Sequence, residues 1–114
     1  MERARPARRH PWRLLHVKPS TRAAKKLMAT FEHSGTRRRT VRHFGATGHG
    51  DFTTYWRLSP ELAKQKRRQY IARHSRGGEN WRDPTTPGAL SRYLLWERPT
   101  MNAALTAFRT RFSV

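Results

Sequence analysis

Apolar side chains are scarce in this chain, and their scarcity limits what it can fold into. Hydrophobic residues make up 35% of the 114 residues, whereas an ordinary globular domain has roughly 45–50%. A chain of this length forms about one domain, which buries roughly two-thirds of the surface that the unfolded chain exposes. The sequence therefore predicts one small core, to which part of the chain contributes nothing.

The segment 77–96, GGENWRDPTTPGALSRYLLW, concentrates the residues that favour order, including Trp81 and Trp96. Thr86 followed by Pro87 is typical of a helix start, with a side-chain cap and a proline at the first helical position. The segment predicts a helix from residue 87 to about 96. We interpret its unusual residues as architectural.

The first 23 residues predict a basic N-terminal arm interrupted by prolines. Residues 1–22 contain seven lysines and arginines, opposed only by Glu2. Apolar residues between Trp12 and Val17 indicate that the arm docks on a surface of its own domain or of a partner. Its composition is like that of an organelle transit peptide, but the prolines argue against the continuous amphipathic helix of such a peptide.

Residues 24–114 predict a single small α+β domain that begins with a two-stranded antiparallel hairpin. Apolar and polar residues alternate over 25–32 and again over 39–44, which favours two strands. The intervening sequence HSGT supplies turn residues. We expect one side of the hairpin to face the helices, and its residues are Leu27, Phe31 and Val41.

About three short helices are predicted to pack on this hairpin. The first helix begins at Ser59-Pro60-Glu61 and runs to about residue 74, and Gly77 stops it. The second is the helix from 87 to about 96. Thr100 caps the third, whose apolar residues from Met101 to Phe112 have the clearest helical spacing in the chain.

The glycine-rich sequence FGATGHGDF lies between the hairpin and the first predicted helix. It lacks the Gly-Lys-Ser/Thr ending of a phosphate-binding P-loop and does not match a dinucleotide fingerprint. We interpret it as a loop whose glycines permit positive φ angles.

No catalytic or metal-binding constellation is evident. The chain has no cysteine, and its six histidines include no pair at HxxxH spacing. The hypothesis of a nuclease would require His43, His74 and Asn80 to act together, and their spacing does not support it. We assign Asp51 and Asp83 to turns and Glu79 to an ion pair with an arginine. The sequence predicts a non-enzymatic protein without metal, cofactor or small-molecule substrate.

The charge of the chain indicates a polyanionic partner. Lysine and arginine number 25 against seven acidic residues, a formal net charge of +18. Such a surface attracts nucleic acid or acidic protein surfaces. No run of about 18 apolar residues indicates a transmembrane helix. The predicted binding residues form three patches and two stacking candidates: Arg3, Arg5, Arg8, Arg9 and Arg13 in the arm; Arg37, Arg38 and Arg39 at the hairpin; Lys64, Lys66, Arg67, Arg68 and Arg73 on the first helix; and Trp56 and Trp81 for stacking on bases.

Three successive motifs carry a family resemblance: VRHFGATGHGDFT, KRRQYIARH and ENWRDPTTPGALSRYLLWERPT. Together they resemble a family of small basic proteins encoded by giant viruses and other nucleocytoplasmic large DNA viruses. The resemblance covers about residues 25–112. It implies a viral or virus-derived setting and no particular chemistry. The chain departs from the family pattern at Tyr55-Trp56-Arg57, where members are rich in lysine and aspartate, and it has more arginine.

We therefore expect a structural protein: a small basic virion component, in a minor capsid or nucleoprotein role, that binds nucleic acid or acidic protein surfaces within a large assembly. Its expected location is the virion or the host nucleus or cytoplasm. The alternative is an RNA-binding accessory protein of the ribosome or of an organelle matrix, with the arm inserted into RNA.

Overall fold

The computed structural model describes residues 9–114, which form an α+β fold. Three strands form an antiparallel sheet in the order β1-β2-β3: β1 is Trp12–Pro19, β2 is Lys25–His33 and β3 is Arg39–Ala46. Helices α1 (Phe52–Leu58) and α2 (Pro60–Ser75) follow. Helix α3 (Pro87–Leu90) continues as a π-helical turn (Ser91–Leu95), and α4 is Met101–Phe112.

The sheet has one strand more than the predicted two-stranded hairpin. The additional strand, β1, comes from residues assigned to the basic arm, and it pairs along β2 from Trp12↔His33 to Pro19↔Leu27. A bulge between Leu14 and His16 breaks the strict alternation that marks a strand in a sequence. Pro19 is tolerated because it lies at the end of an edge strand.

One face of the sheet carries the core. Leu14, Ala29, Phe31 and Phe44 are each at most 3% exposed and pack against the helices. The expectation that Val41 joins them was wrong, since its side chain is 43% exposed. The register explains the difference: Phe44 lies opposite Leu27, and Val41 lies opposite Thr30, which points to the other face.

Helix α1 was not predicted. Asp51, which we had assigned to a turn, caps it: an Asp51 carboxylate oxygen accepts a hydrogen bond from the Thr54 amide at 3.2 Å. The helix buries Phe52 and ends at Leu58, with Ser59 as its C-cap. The hydroxyl of Ser59 then caps α2 by accepting from the Leu62 amide, as the Ser-Pro-Glu sequence predicts.

The predicted starts of the last two helices are confirmed. The hydroxyls of Thr86 and Thr100 each accept a hydrogen bond from the amide three residues later. The predicted helix from 87 to about 96 changes to π geometry at Ser91. A π turn is closed by hydrogen bonds between residues five apart, and Leu90, Leu94 and Leu95 are all buried.

The C-terminal helix is bonded to the first strand. The guanidinium of Arg109 donates to the carbonyl of Leu14 at 2.6 Å, and the amide of His10 donates to the carbonyl of Ser113 at 3.0 Å. Ala104 and Phe108 are the buried side chains of α4 and belong to the core. The chain therefore closes around one core, with its first and last described elements side by side.

Candidate polyanion-binding groove

A groove of about 530 Å³ lies where the ends of β2 and β3 meet α2 and the start of α3. Its walls come from parts of the sequence that are far apart, including the glycine-rich loop after β3 and Glu79 in the loop before α3. We call it the basic groove because its cationic or titratable nitrogen groups are Lys25, Lys26, His49, Lys66, Arg73 and His74.

Stacked aromatic rings form the floor of the groove. Tyr70 lies between His74 and Trp96, with ring centroids 4.1 Å and 4.8 Å away. Burial, reinforced by the negative charge of Glu79, raises the pKa of Tyr70 above the ordinary value of 10. The Tyr70 hydroxyl is therefore neutral at physiological pH, and the floor contributes no negative charge of its own.

Lys66 and Arg73 project into the groove from the same flank of α2. They are seven residues apart, which is about two helical turns or roughly 10 Å along the axis. Lys66 also places its ammonium 5.5 Å from the ring centroid of Tyr55. Among residues 9–114, no carboxylate lies within ion-pair distance of either cation. Lys25, exposed at the start of β2, also has no carboxylate partner within this range.

The glycine-rich loop forms part of the groove wall. Gly45 and Gly48 have positive φ angles of 78° and 82°, which confirms the predicted role of these glycines. Gly50 serves another purpose, since a Cβ atom there would lie 2.7 Å from the ring of Tyr55. Glycine therefore allows the loop to pack directly on the Tyr55 ring.

Carboxylates lining the groove are already engaged. Asp51 pairs with Lys26 at 3.1 Å. One oxygen of Glu79 lies 2.7 Å from the Nδ1 atom of His74, and the other accepts from the indole nitrogen of Trp81 at 2.9 Å. The prediction of an arginine partner for Glu79 was therefore wrong. Lys25, Lys26, Lys66 and Arg73 outnumber the two carboxylates, so the groove carries a net positive charge.

The predicted basic patch on α2 is divided by the helix. Arg67 lies on the opposite flank from Lys66, donates to the carbonyl of Glu97 at 3.2 Å and places its guanidinium 4.7 Å from the ring centroid of Phe52. Lys64 pairs with Glu61 at 3.8 Å, and Arg68 points to solvent. Of the five predicted residues, Lys66 and Arg73 line the groove.

The arm and hairpin patches lie elsewhere. Arg3, Arg5 and Arg8 are outside the described residues, and Arg9 is exposed near β1. The strand register brings the arm patch and the hairpin patch together. Arg13 on β1 and Arg39 on β3 each pair with Glu32 on the central strand β2.

At the hairpin, Arg37 and Arg39 each contact Glu32 at 3.1 Å, whereas Arg38 is exposed. Hydrogen bonds from Arg39 and then Arg37 lower the pKa of Glu32 below its ordinary value of 4.5. Glu32 therefore remains charged and neutralises part of the hairpin patch.

Neither stacking candidate lines the groove. Trp56 is partly buried beside Phe52, with ring centroids 5.6 Å apart. Trp81 donates to Glu79 and lies under the guanidinium of Arg92, 5.6 Å from the ring centroid. The groove is instead lined by the aromatic side chains of Phe44, Tyr55, Tyr70 and Trp96. Sequence reasoning missed their convergence, and also Lys25 and Lys26, because the groove combines distant segments.

The histidines considered for a nuclease lie in separate environments. The Nδ1 atom of His43 is 2.7 Å from the hydroxyl of Ser20, while His74 contacts Glu79. Within residues 9–114, no three side chains of histidine, cysteine, aspartate or glutamate converge as a metal site would require. None of the helices in this range combines the length and the apolar character needed to cross a bilayer.

Comparison of the chain with family models, with curated proteins and with solved structures gives no match.

Proposed function

We propose that this protein is a non-enzymatic nucleic-acid-binding protein that holds a phosphate backbone in the basic groove. The observation that carries the proposal is the convergence of Lys25, Lys66 and Arg73, without carboxylate partners among the described residues, above an aromatic floor. Lysine and arginine contact phosphates irrespective of sequence, and each phosphate neutralised releases counterions from the nucleic acid.

The groove suits a flexible strand. Phosphates can contact Lys66 and Arg73, which are about two helical turns apart, while an unpaired base can contact the partly buried ring of Tyr55. An acidic protein surface supplies charge but no base for this ring. The Tyr55 ring therefore favours nucleic acid over an acidic protein as the occupant.

The setting we propose is a virion or a virus-derived nucleoprotein assembly, in which the protein is a small structural component. The family resemblance of the three motifs and the net charge of +18 support this setting. A basic protein of this size neutralises packaged nucleic acid and compacts it by lowering phosphate repulsion.

The test is a titration of fluorescent single-stranded and duplex oligonucleotides at several salt concentrations. We compare the wild type with Lys66→Gln/Arg73→Gln and with Arg57→Gln/Arg98→Gln, a control that removes the same charge from exposed positions outside the groove. The groove variant should weaken single-strand binding about tenfold and lower the salt slope by about 1 for each lost phosphate contact. The control should change affinity much less.

Two results would contradict the proposal. Affinity that does not vary with salt would show that phosphate contacts do not drive binding. Equal losses of affinity in the groove and control variants would show that binding depends on the total charge of the protein and not on the groove. Cofractionation with ribosomes instead of virus particles would support the RNA-binding accessory role and reject the virion setting.

A further inference from the structure

The face of the sheet that points away from the helices is a second basic surface. Side chains alternate along each strand, so the neighbours of buried Leu14, Phe31 and Phe44 project from the opposite side. The register aligns these neighbours in three rows across β1, β2 and β3. We call this surface the open sheet face, and its rows are Arg13, Glu32 and Arg39; His16, Thr30 and Val41; and Lys18, Met28 and His43.

The open sheet face is accessible in the part of the chain that the structure describes. His16 and Lys18 are exposed on β1, and Val41 on β3 is 43% exposed despite being apolar. Thr30 is 7% exposed because it occupies the central strand between His16 and Val41. The helices pack on the other face, around Phe31 and Phe44.

Positive charge on this face lies on the two outer strands. Arg13 and Lys18 lie on β1, whereas Arg39 lies on β3 and pairs with Glu32 of the central strand at 3.1 Å. Each outer strand also carries a histidine, and the central strand between them carries Met28 and Thr30. Neighbouring strands are about 4.8 Å apart, so the cations of β1 and β3 are attached roughly 10 Å apart.

We propose that the open sheet face docks in the major groove of double-stranded DNA. That groove is about 12 Å wide in B-form DNA and has phosphates along both rims. The spacing places the cations of β1 and β3 towards opposite rims, while Met28 and Val41 face the base edges. Their methyl groups suit thymine methyls.

The composition of the face selects duplex DNA over other nucleic acids. None of its nine residues is a phenylalanine, tyrosine or tryptophan, whereas surfaces that bind single strands use aromatic rings as stacking platforms. The major groove of A-form RNA is too deep and narrow for side chains to read. The inference rests on the proposed nucleic-acid-binding function but assigns a separate surface and a different form of nucleic acid.

The experiment compares three variants that each lose two positive charges: Lys18→Gln/Arg39→Gln on the sheet, Lys66→Gln/Arg73→Gln in the groove, and the control Arg57→Gln/Arg98→Gln. Each is titrated against a short DNA duplex, one of its single strands, and an RNA duplex of the same sequence. We expect the sheet variant to weaken DNA-duplex binding about tenfold and to lower its salt slope by about 1 per lost phosphate contact. Its single-strand affinity should change no more than that of the control.

A second pair of variants tests the centre of the face without removing a cation. Val41→Glu and Leu58→Glu place the same negative charge at exposed apolar positions, which are 43% and 73% exposed. Val41→Glu should reduce DNA-duplex affinity by about tenfold because the carboxylate opposes the phosphates. Leu58→Glu, outside both surfaces, should have little effect. Circular dichroism checks that both variants are folded.

Equal losses from the sheet and control variants would overturn the assignment of the face, as would equal binding of RNA and DNA duplexes. The groove proposal would survive either result if the groove variant still loses single-strand binding. If the sheet variant instead loses binding to polyglutamate and keeps DNA binding, the face serves an acidic protein partner and our assignment is wrong. Salt-independent binding to every oligonucleotide would reject the proposed function itself.

Discussion

Tyr70 and Trp96 lie face to face, with ring centroids 4.8 Å apart and ring planes inclined by 15°. This contact joins the middle of α2 to the residue that follows the π-helical turn. Both side chains are at least nine-tenths buried. The stack therefore stabilises the core and also sets the shape of the groove floor.

Replacing Tyr70 with alanine should lower the free energy of unfolding by about 3–5 kcal/mol, as expected for loss of a buried aromatic ring. Tyr70→Phe retains the ring and should cost much less. Urea denaturation measures both values. A loss below about 1 kcal/mol for Tyr70→Ala would mean that the ring is not part of a packed core.

Alkaline pH should destabilise the fold through Tyr70. Burial raises the pKa of its hydroxyl in the folded state, whereas the unfolded chain ionises near the ordinary value of 10. The contribution of Tyr70 to stability is therefore complete below pH 10 and is lost as the pH rises further. Denaturation at increasing alkaline pH should show a steeper loss for the wild type than for Tyr70→Phe. Identical curves would contradict the raised pKa.

Gly45 should tolerate alanine less well than Gly48. Both have positive φ, which costs an L residue about 1–2 kcal/mol. A Cβ atom at Gly45 would also lie 2.7 Å from a methyl carbon of Leu95, whereas nothing lies within 4 Å of one at Gly48. Gly45→Ala should therefore cost about 1–3 kcal/mol more than Gly48→Ala, and thermal unfolding of the two variants measures the difference.

Acid should weaken the hairpin through Glu32. Its pKa is lowered in the folded state by hydrogen bonds from Arg39 and Arg37, so its contribution to stability is present above the ordinary pKa of 4.5 and is lost as the pH falls below it. Glu32→Gln should flatten this part of the stability profile and leave the profile near neutral pH parallel to that of the wild type. Melting temperatures measured between neutral and strongly acidic pH test this, and an unchanged acid slope would exclude the linkage.

Alanine substitutions at Arg67 and Arg68 should differ in their effect on stability and have the same effect on binding. Arg67→Ala removes a hydrogen bond to Glu97 and a cation over the ring of Phe52, so it should cost about 1–2 kcal/mol. Arg68→Ala removes an exposed side chain and should stay within about 0.5 kcal/mol of the wild type. Both lose one charge and should weaken oligonucleotide binding equally. Unequal binding would place one of them in a specific contact.

Local signals in the sequence were sufficient for β2, β3, α2 and α4. Strands β2 and β3 alternate clearly, and Ser59 and Thr100 mark helix starts with short-range hydrogen bonds. Strand β1 was missed because the bulge after Leu14 shifts its alternation, so Trp12 and Leu14 are out of phase with Val17. Such a shift is visible only when the partner strand is known.

The groove was harder to predict than the elements that form it. Lys66 and Arg73 were identified by charge, but their separation from Arg67 depends on which flank of α2 meets the core. In the sequence Arg67 looks as free to bind a ligand as Lys66 does, yet its guanidinium donates a hydrogen bond to the carbonyl of Glu97, thirty residues away. Long-range contacts of this kind determine which cations remain accessible to a ligand, and charge composition does not reveal them.

The bond between Arg109 and Leu14 spans 95 residues, and this has a consequence for folding. Closing so long a loop costs more entropy than forming the β2–β3 hairpin, so β1 acquires its final support late, after α4 has been synthesised. Strand β1 is also an edge strand, and an open strand edge can pair with another copy of the chain. The net charge of +18 counters that hazard, since nascent copies repel one another while the edge is open.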